Sequence, residues 1–335
     1  MKRLVSRTTI GEFVFNYTTA IDINKSFDKL TNTATIVMPN KFLQDNKTIT
    51  VGSNNVFNRN DIVKIEEGYF PNLNVEFEGF ISKITPDSPL KLECQNRMYL
   101  LKQVNIPSKS FKNATVGEVV RFVAPNETIE FDDENAHIGA FQINNNSFVN
   151  AVKVFELLKK EFGFKVFYIG DTLHVRLLPS ILSQAVDVAT ISFQKHIIAS
   201  NLKYIKEEDV DLVLKAESIL VDNSRIILYG SKNGGKVRIT KKPQTAAQTK
   251  PLVVYNFTEA QLRAEIEKRI DDFIYEGYEG SFTMFLEPRL NPEDKVTLVD
   301  NKNVERNGTY LIKSVRKTFG IDGGRQIVEL RNKIG

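Results

Sequence analysis

Two separated blocks of this chain keep their apolar residues on a two-residue period and set out their parts in the same order. In the closing block, Ser281 to Leu286 places Phe282, Met284 and Leu286 on one side and Thr283 and Phe285 on the other, which is the period of a strand. Asn291-Pro292-Glu293-Asp294 then reads as a turn, with φ fixed by the proline and short polar side chains bonding to their own backbone. Lys295 to Val299 resumes the alternation, and Arg306-Asn307-Gly308 turns the chain again. Thr309 to Phe319 is long enough for a strand that changes face partway. Gly320 to Gly324 leads into Arg325 to Leu330, where Gln326, Val328 and Leu330 share a face. The opening block repeats the scheme. Asp61-x-Val63-x-Ile65, Ile81-x-x-Ile84 and Leu90-x-Leu92 match Asp294-x-Val296-x-Leu298, Ile312-x-x-Val315 and Val328-x-Leu330. A duplicated small β-domain accounts for this better than one large sheet.

The remaining texture divides the chain in three. Residues 1–100 are almost pure β: Phe13, Phe15 and Tyr17 alternate, as do Ala34, Ile36 and Met38, and Val75 to Ile84 is long enough to bend through Gly79. Gly52-Ser53-Asn54-Asn55 and Asn58-Arg59-Asn60-Asp61 are turn clusters. Residues 101–196 form an α+β insertion. Thr115-x-x-Glu118 is a capping box for a short helix through Val123. After polar Asn144-Asn145-Asn146, Ser147 is an N-cap candidate for a helix carrying Phe148, Ala151, Val152, Phe155, Leu158 and Phe162, ended by Gly163. Phe164 to Ile169 and Leu173 to Leu177 then make a hairpin across Gly170-Asp171.

Residues 197–335 return to β. Strands are expected at Val210 to Ala216, Arg225 to Tyr229 and Val237 to Thr240, and residues 241–250, with no large apolar side chain, read as an exposed loop. The capping box Thr258-x-x-Gln261 opens a helix over 259–275, with Leu262, Ile266, Ile270 and Phe273 as its buried stripe and Gly277 as its stop.

Chemistry-bearing patterns are weak throughout. Gly230-x-x-x-x-Gly235-Lys236 has the spacing of a phosphate loop, but Val237 stands where Ser or Thr is needed and the following residues are β-like, so a hairpin turn is expected. His137, His174 and His196 are isolated from one another, and the acidic Asp132-Asp133-Glu134 lacks the alternating ligands and glycine of a calcium loop. A peptidoglycan hydrolase would need a raised-pKa Glu beside a second carboxylate in a cleft; Glu276 and Glu279, either side of Gly277, are the candidates, but a bend in the helix-to-strand connection explains them without chemistry. The single cysteine, Cys94, excludes an internal disulfide and reads as a buried small hydrophobe. A net charge of +4, with Lys159-Lys160 and Lys241-Lys242 as the densest basic pairs, gives no stripe for phosphate-backbone binding. The 23 Phe without any Trp suit half-buried strands and disfavour sugar platforms. No apolar run follows Met1-Lys2-Arg3 or reaches eighteen residues, so neither a secretion signal nor a membrane helix is expected. No catalytic, cofactor-binding or metal-binding residues are assigned.

Several segments carry a family resemblance. Gly277-x-x-Gly280-Ser281-Phe282, Pro288-x-Leu290-x-Pro292-x-Asp294-x-Val296, Gly308-x-Tyr310-Leu311-Ile312-x-x-Val315 and Gly324-Arg325-Gln326-x-x-Glu329-Leu330 resemble the closing part of baseplate hub proteins of tailed phages. Leu30-Thr31-x-Thr33-Ala34-x-Ile36-x-Met38-Pro39-Asn40, Phe77-Glu78-Gly79-Phe80-Ile81 and Pro89-Leu90-x-Leu92-x-Cys94 are similar to the same family's opening. The hub half of type VI secretion spike proteins is related to this family. The resemblance implies two tail-tube-like β-barrels, residues 1–100 and 197–335, with the α+β insertion outside a ring. It implies a homotrimer in which six barrels imitate the sixfold tail tube, a polar channel for DNA and a non-enzymatic symmetry adaptor in the virion baseplate, assembled in the bacterial cytoplasm. Its expected partners are a tail tube or distal tail protein, the tape measure protein and a spike that is a separate protein, since no β-helical segment follows up to Gly335. The alternatives are a β-rich binding module for glycan or nucleic acid and a tail-associated peptidoglycan hydrolase.

Overall fold

The computed structural model of this chain describes residues 3–16, 18–44, 47–50, 56–144, 148–222 and 224–334. Tyr17, the Gly52-Ser53-Asn54-Asn55 cluster, Asn145, Asn146 and the Ser147 cap lie outside the described residues. Among the described residues one sheet has 13 strands. The first block supplies β1 (Leu4–Ile10), β2 (Phe13–Phe15), β3 (Ala20–Ser26), β4 (Thr33–Met38), β5 (Ile62–Tyr69), β6 (Asn72–Thr85) and β7 (Leu90–Gln95). The rest are β8 (Asp187–Ser192), β9 (Ile197–Ser200), β10 (Ser281–Met284), β11 (Lys295–Val299), β12 (Gly308–Phe319) and β13 (Arg325–Lys333).

The spatial order β3-β4-β7-β6-β5-β1 recurs as β9-β10-β13-β12-β11-β8, with the same order along the chain. One pair differs in direction: β1 is antiparallel to β5, whereas β8 is parallel to β11. The duplication extends to irregularities. Ile81 faces Cys94 and Lys83 faces Glu93, leaving residue 82 bulged; Ile312 faces Leu330 and Ser314 faces Glu329, leaving residue 313 bulged. Leu92 and Cys94 are therefore the counterparts of Val328 and Leu330, two residues away from the match expected between Leu90-x-Leu92 and Val328-x-Leu330. A slip of two keeps every side chain on its own face, so alternation alone cannot detect it.

Each unit has its own core. Ile21, Ile36, Ile65, Ile81, Leu92 and Cys94 are buried in the first, and Phe282, Met284, Val296, Ile312, Val315 and Val328 in the second. Gln326 occupies the second unit's counterpart of Leu90. It is fully buried, and its Nε2 donates to the carbonyls of Phe285 and Pro288 at 2.9 and 2.6 Å. Gly79 lies where β6 crosses β7 so closely that a Cβ would stand 2.2 Å from the carbonyl oxygen of Gln95.

The inserted segments hold the helices. α1 (Met98–Gln103), α2 (Val116–Val123) and α3 (Ala151–Phe162) bury Met98, Val119, Val120, Phe155 and Leu158 in one core with the hairpin Lys165–Ile169 and Thr172–Arg176. The Thr115–Glu118 capping box forms as expected. The cap of α3 is Asn150, which accepts from Lys153 N at 3.1 Å. Phe148 therefore precedes the helix and is exposed: Val149, not Phe148, packs on the core. A short helix not expected from sequence, α4 (Leu178–Gln184), buries Leu178, Ile181 and Leu182.

Two expected borders move. β8, placed by sequence in the middle segment, belongs to the closing sheet, because its parallel partner β11 lies about a hundred residues downstream and leaves no local signal. The strands Leu212–Ile219, Arg225–Asn233, Lys236–Thr240 and Gln248–Tyr255 form a separate four-stranded sheet outside the 13-stranded one. Its apolar side covers Leu262, Ile266 and Ile270, the first two on α5 (Glu259–Arg269), whose Thr258–Gln261 capping box also forms. Residues 248–250, expected in a loop, start the edge strand of that sheet; an edge position tolerates Pro251.

Candidate assembly site: the seam between the repeated units

β12 joins the two units. Its first residues pair with β11, and residues 314–319 pair antiparallel with residues 26–21 of β3. One face of the sheet stays polar across this join. Lys83 faces Glu93, Glu93 faces Thr35, Thr35 faces Asp22, and Arg316 Nε donates to Asp22 Oδ1 across the seam at 3.0 Å.

The other face carries a buried ionic cluster. Lys317, 2 % exposed, continues the inward register of Val315 on β12. Its Nζ donates to Glu76 Oε2 at 2.6 Å, and Lys25 Nζ of β3 donates to the same oxygen at 2.9 Å. Arg289 Nε donates to Glu76 Oε1 at 2.8 Å. Burial alone raises the Glu76 carboxyl, but Lys25 and Lys317 outweigh it and hold the group below its ordinary value. Burial pushes the Lys317 ammonium down to about 8, with Glu76 opposing, so both members are ionised at neutral pH. Beside them Glu67, 2 % exposed, has neither carboxylate oxygen bonded. Burial, reinforced by the charge of Glu76, pushes it up to about 7. The sequence signal for this cluster was the charged residues Glu76 and Lys317 inside strands rich in apolar side chains.

A second cluster ties the insertion to the sheet. Asp28, just after β3, accepts from Lys165 Nζ at 2.6 Å and from Arg331 of β13, while Lys159 Nζ of α3 donates to its carbonyl at 2.5 Å. Burial raises the Asp28 carboxyl, and Arg331 with Lys165 lowers it further than burial lifts it.

The residues considered for chemistry are dispersed. Gly230 to Lys236 forms the hairpin expected: Asn233 faces Lys236 around Gly234 and Gly235, whose φ values are +55° and +75°. His174 is buried, stacks on Phe167 and lies 3.0 Å from Arg176; burial and then Arg176 lower its pKa. His196 Nδ1 accepts from Ser192 N at 3.0 Å, and His137 lies on the strand His137–Ile143. The acidic run is used locally: Asp132 accepts from Leu177 N, Asp133 from Asn135 N, and Glu134 pairs with Arg121. Glu276 accepts from the Tyr204 hydroxyl at 2.7 Å, and Glu279 faces Lys203 in a short ladder. Cys94 is buried, and its thiol is pushed up to about 12 by burial and Glu93. Among the described residues no group of three or more His, Cys, Asp or Glu is arranged to hold a metal, and no helix is long and apolar enough to cross a membrane.

No protein-family profile and no curated protein sequence matches this chain. Solved structures do match over nearly all of it. A tail protein from Neisseria meningitidis MC58 aligns over 99 % of this chain and 96 % of its own with TM-score 0.62 at 13 % identity. The 43 kDa tail protein of prophage MuSo2 from Shewanella oneidensis aligns over 98 % of each chain with TM-score 0.61 at 12 % identity. An E. coli component of the type VI secretion system, described as structurally similar to the bacteriophage T4 tail proteins gp27 and gp5, aligns over 98 % of this chain and 76 % of its own, with TM-score 0.54 at 9 % identity. The mainly β fold with helical insertions is thus the fold of phage tail proteins and of type VI secretion components similar to them.

Proposed function

We propose that this chain is a structural, non-enzymatic hub of a phage tail baseplate or a related injection machine, assembled in the host cytoplasm. Three copies form a ring in which six alike units meet a sixfold tail tube, while the threefold face receives a spike; a tape measure protein and DNA occupy the channel. The observation that carries this reading is the repetition of one strand order within a single chain, joined by a continuous ladder between β3 and β12. A threefold assembly of such chains has six similar positions without six identical chains. The polar ribbon through Lys83, Glu93, Thr35, Asp22 and Arg316 supplies a hydrated face across the join, which suits a channel wall. The similarity in fold to tail proteins and to a type VI secretion component supports the same setting.

The test is sedimentation and electron microscopy of the purified chain, alone and with a tail tube protein. The expected particle has three times the 38.1 kDa mass of one chain and a central channel. A chain that stays monomeric with the tube protein and binds oligosaccharide or nucleic acid, or cleaves peptidoglycan, would overturn the reading.

A further inference from the structure

The seam inside the chain has two counterparts that the chain leaves open. In the first unit, β3 is bonded on both sides, to β4 and to residues 314–319 of β12. Its counterpart in the second unit is the edge formed by β9 and Lys203–Ile205. Ser200 faces Phe282 and Lys203 faces Glu279, so both pieces hold one antiparallel register. Among the described residues no strand pairs with the outer side of this edge, where Ile198 is 48 % exposed. The counterpart of residues 314–319 begins at Lys83 in β6, because Lys83 and Ser314 each follow the bulge and face a glutamate. β5 leaves β6 at Ile81, whose N–H donates to the Asp61 carbonyl at 3.0 Å. Beyond it, among the described residues, no strand covers that side of β6.

We infer that these two open edges are the contact between copies: Lys203–Ile205, the end of the second-unit edge of one chain, adds antiparallel to the Lys83–Thr85 edge of the next, in the register of the internal seam. This rests on the ring reading above and specifies its contacts. The register follows from the duplication. Asn24 faces Arg316 and Ser26 faces Ser314. Ile21 faces Ile36 and Ser200 faces Phe282, where Ile36 and Phe282 face the equivalent residues Leu92 and Val328. Lys203 therefore replaces Asn24, Ile205 replaces Ser26, Thr85 replaces Arg316 and Lys83 replaces Ser314. Thr85 of one copy lies opposite Lys203 of the next, and Lys83 opposite Ile205. Backbone bonding of this kind satisfies edges that otherwise invite unspecific pairing.

The experiment combines Thr85→Cys and Lys203→Cys in the full chain and adds a short bifunctional thiol reagent. The buried Cys94 thiol leaves the background silent. The double variant is expected to convert the monomer band to covalent dimer and trimer, while each single variant stays monomeric on a denaturing gel. A particle of trimer mass that does not cross-link overturns the edge assignment and leaves the ring standing. Cross-linked chains running past the trimer support the edges and overturn the ring, and a monomer that never cross-links overturns both.

Discussion

Asp61 and Asp294 close the same turn in the two units. Asp61 Oδ2 accepts from Asn58 N at 2.7 Å, and Asp294 Oδ2 from Asn291 N at 2.9 Å. The residue before each aspartate has a left-handed backbone, with φ +73° at Asn60 and +76° at Glu293. Each aspartate carbonyl then accepts from an isoleucine across the strand, Ile81 at 3.0 Å and Ile312 at 2.9 Å. Asparagine tolerates such a backbone better than glutamate does. Glu293 is held there by the surrounding contacts, among them a hydrogen bond donated by Arg176 Nη1 to its Oε2 at 3.3 Å. Removing either aspartate deletes one side-chain acceptor from a turn that starts a core strand. Asp61→Ala and Asp294→Ala are each expected to lower stability by about 1 kcal/mol, measured by urea unfolding; a loss at one site only would show that the turns are alike in shape but not in energetic role.

Lys317 is the residue whose removal should damage the seam most. It is the most buried cation of the Glu76 cluster, and Lys25 and Arg289 remain to neutralise Glu76 without filling its place. Lys317→Met keeps the volume but leaves a buried carboxylate with fewer donors. Its expected cost is on the order of 3 kcal/mol, with Lys25→Met costing less because that side chain is more exposed. Thermal melts of the two variants check the order, and a Lys317→Met chain as stable as the parent would mean that the cluster contributes nothing to joining the units.

How much of this was legible in the sequence depended on the kind of signal. Alternation placed Phe282, Met284, Val296, Ile312 and Val328 in the core, and both capping boxes formed where Thr115 and Thr258 stand. The turn pair at Asp61 and Asp294 was visible as two polar clusters. What stayed hidden depended on distance or on symmetry. The parallel partner of β8 and the edge strand with Pro251 have no local mark, since their pairing is decided far along the chain. The two-residue slip at Leu92 and Val328 is invisible to a period of two. The Glu76 and Lys317 pair was readable as charges in apolar strands, but not as a pair, because 241 residues separate them.

Gly79 separates two uses of glycine. A Cβ there would meet the Gln95 carbonyl at 2.2 Å, within the β6–β7 ladder of the first core. Gly170 has φ +56° and nothing within 4 Å of its added Cβ. Gly170→Ala is expected to cost about 1 kcal/mol from backbone strain alone. Gly79→Ala should cost more than about 3 kcal/mol, since two paired strands must separate. Soluble yield and urea midpoints distinguish them, and equal effects would show that β6 and β7 part more easily than their ladder implies.

Glu67 gives the seam a pH dependence. Its carboxyl is raised from 4.5 to about 7, by burial first and then by Glu76. Between those values the folded chain binds a proton that the unfolded chain has released, so stability from this group is full below about 4.5 and is lost as pH rises through about 7. The loss is on the order of 3 kcal/mol, a shift in which the attraction of Lys317 and Lys25 for the ionised form is already included. Glu67→Gln keeps the shape and removes the titration. The variant should be more stable than the parent at pH 8 and lose this part of the pH slope. Urea midpoints of both chains from pH 4 to pH 8 test it; parallel profiles would show that the ionised carboxylate finds partners at the seam and that its burial carries no pH-dependent cost.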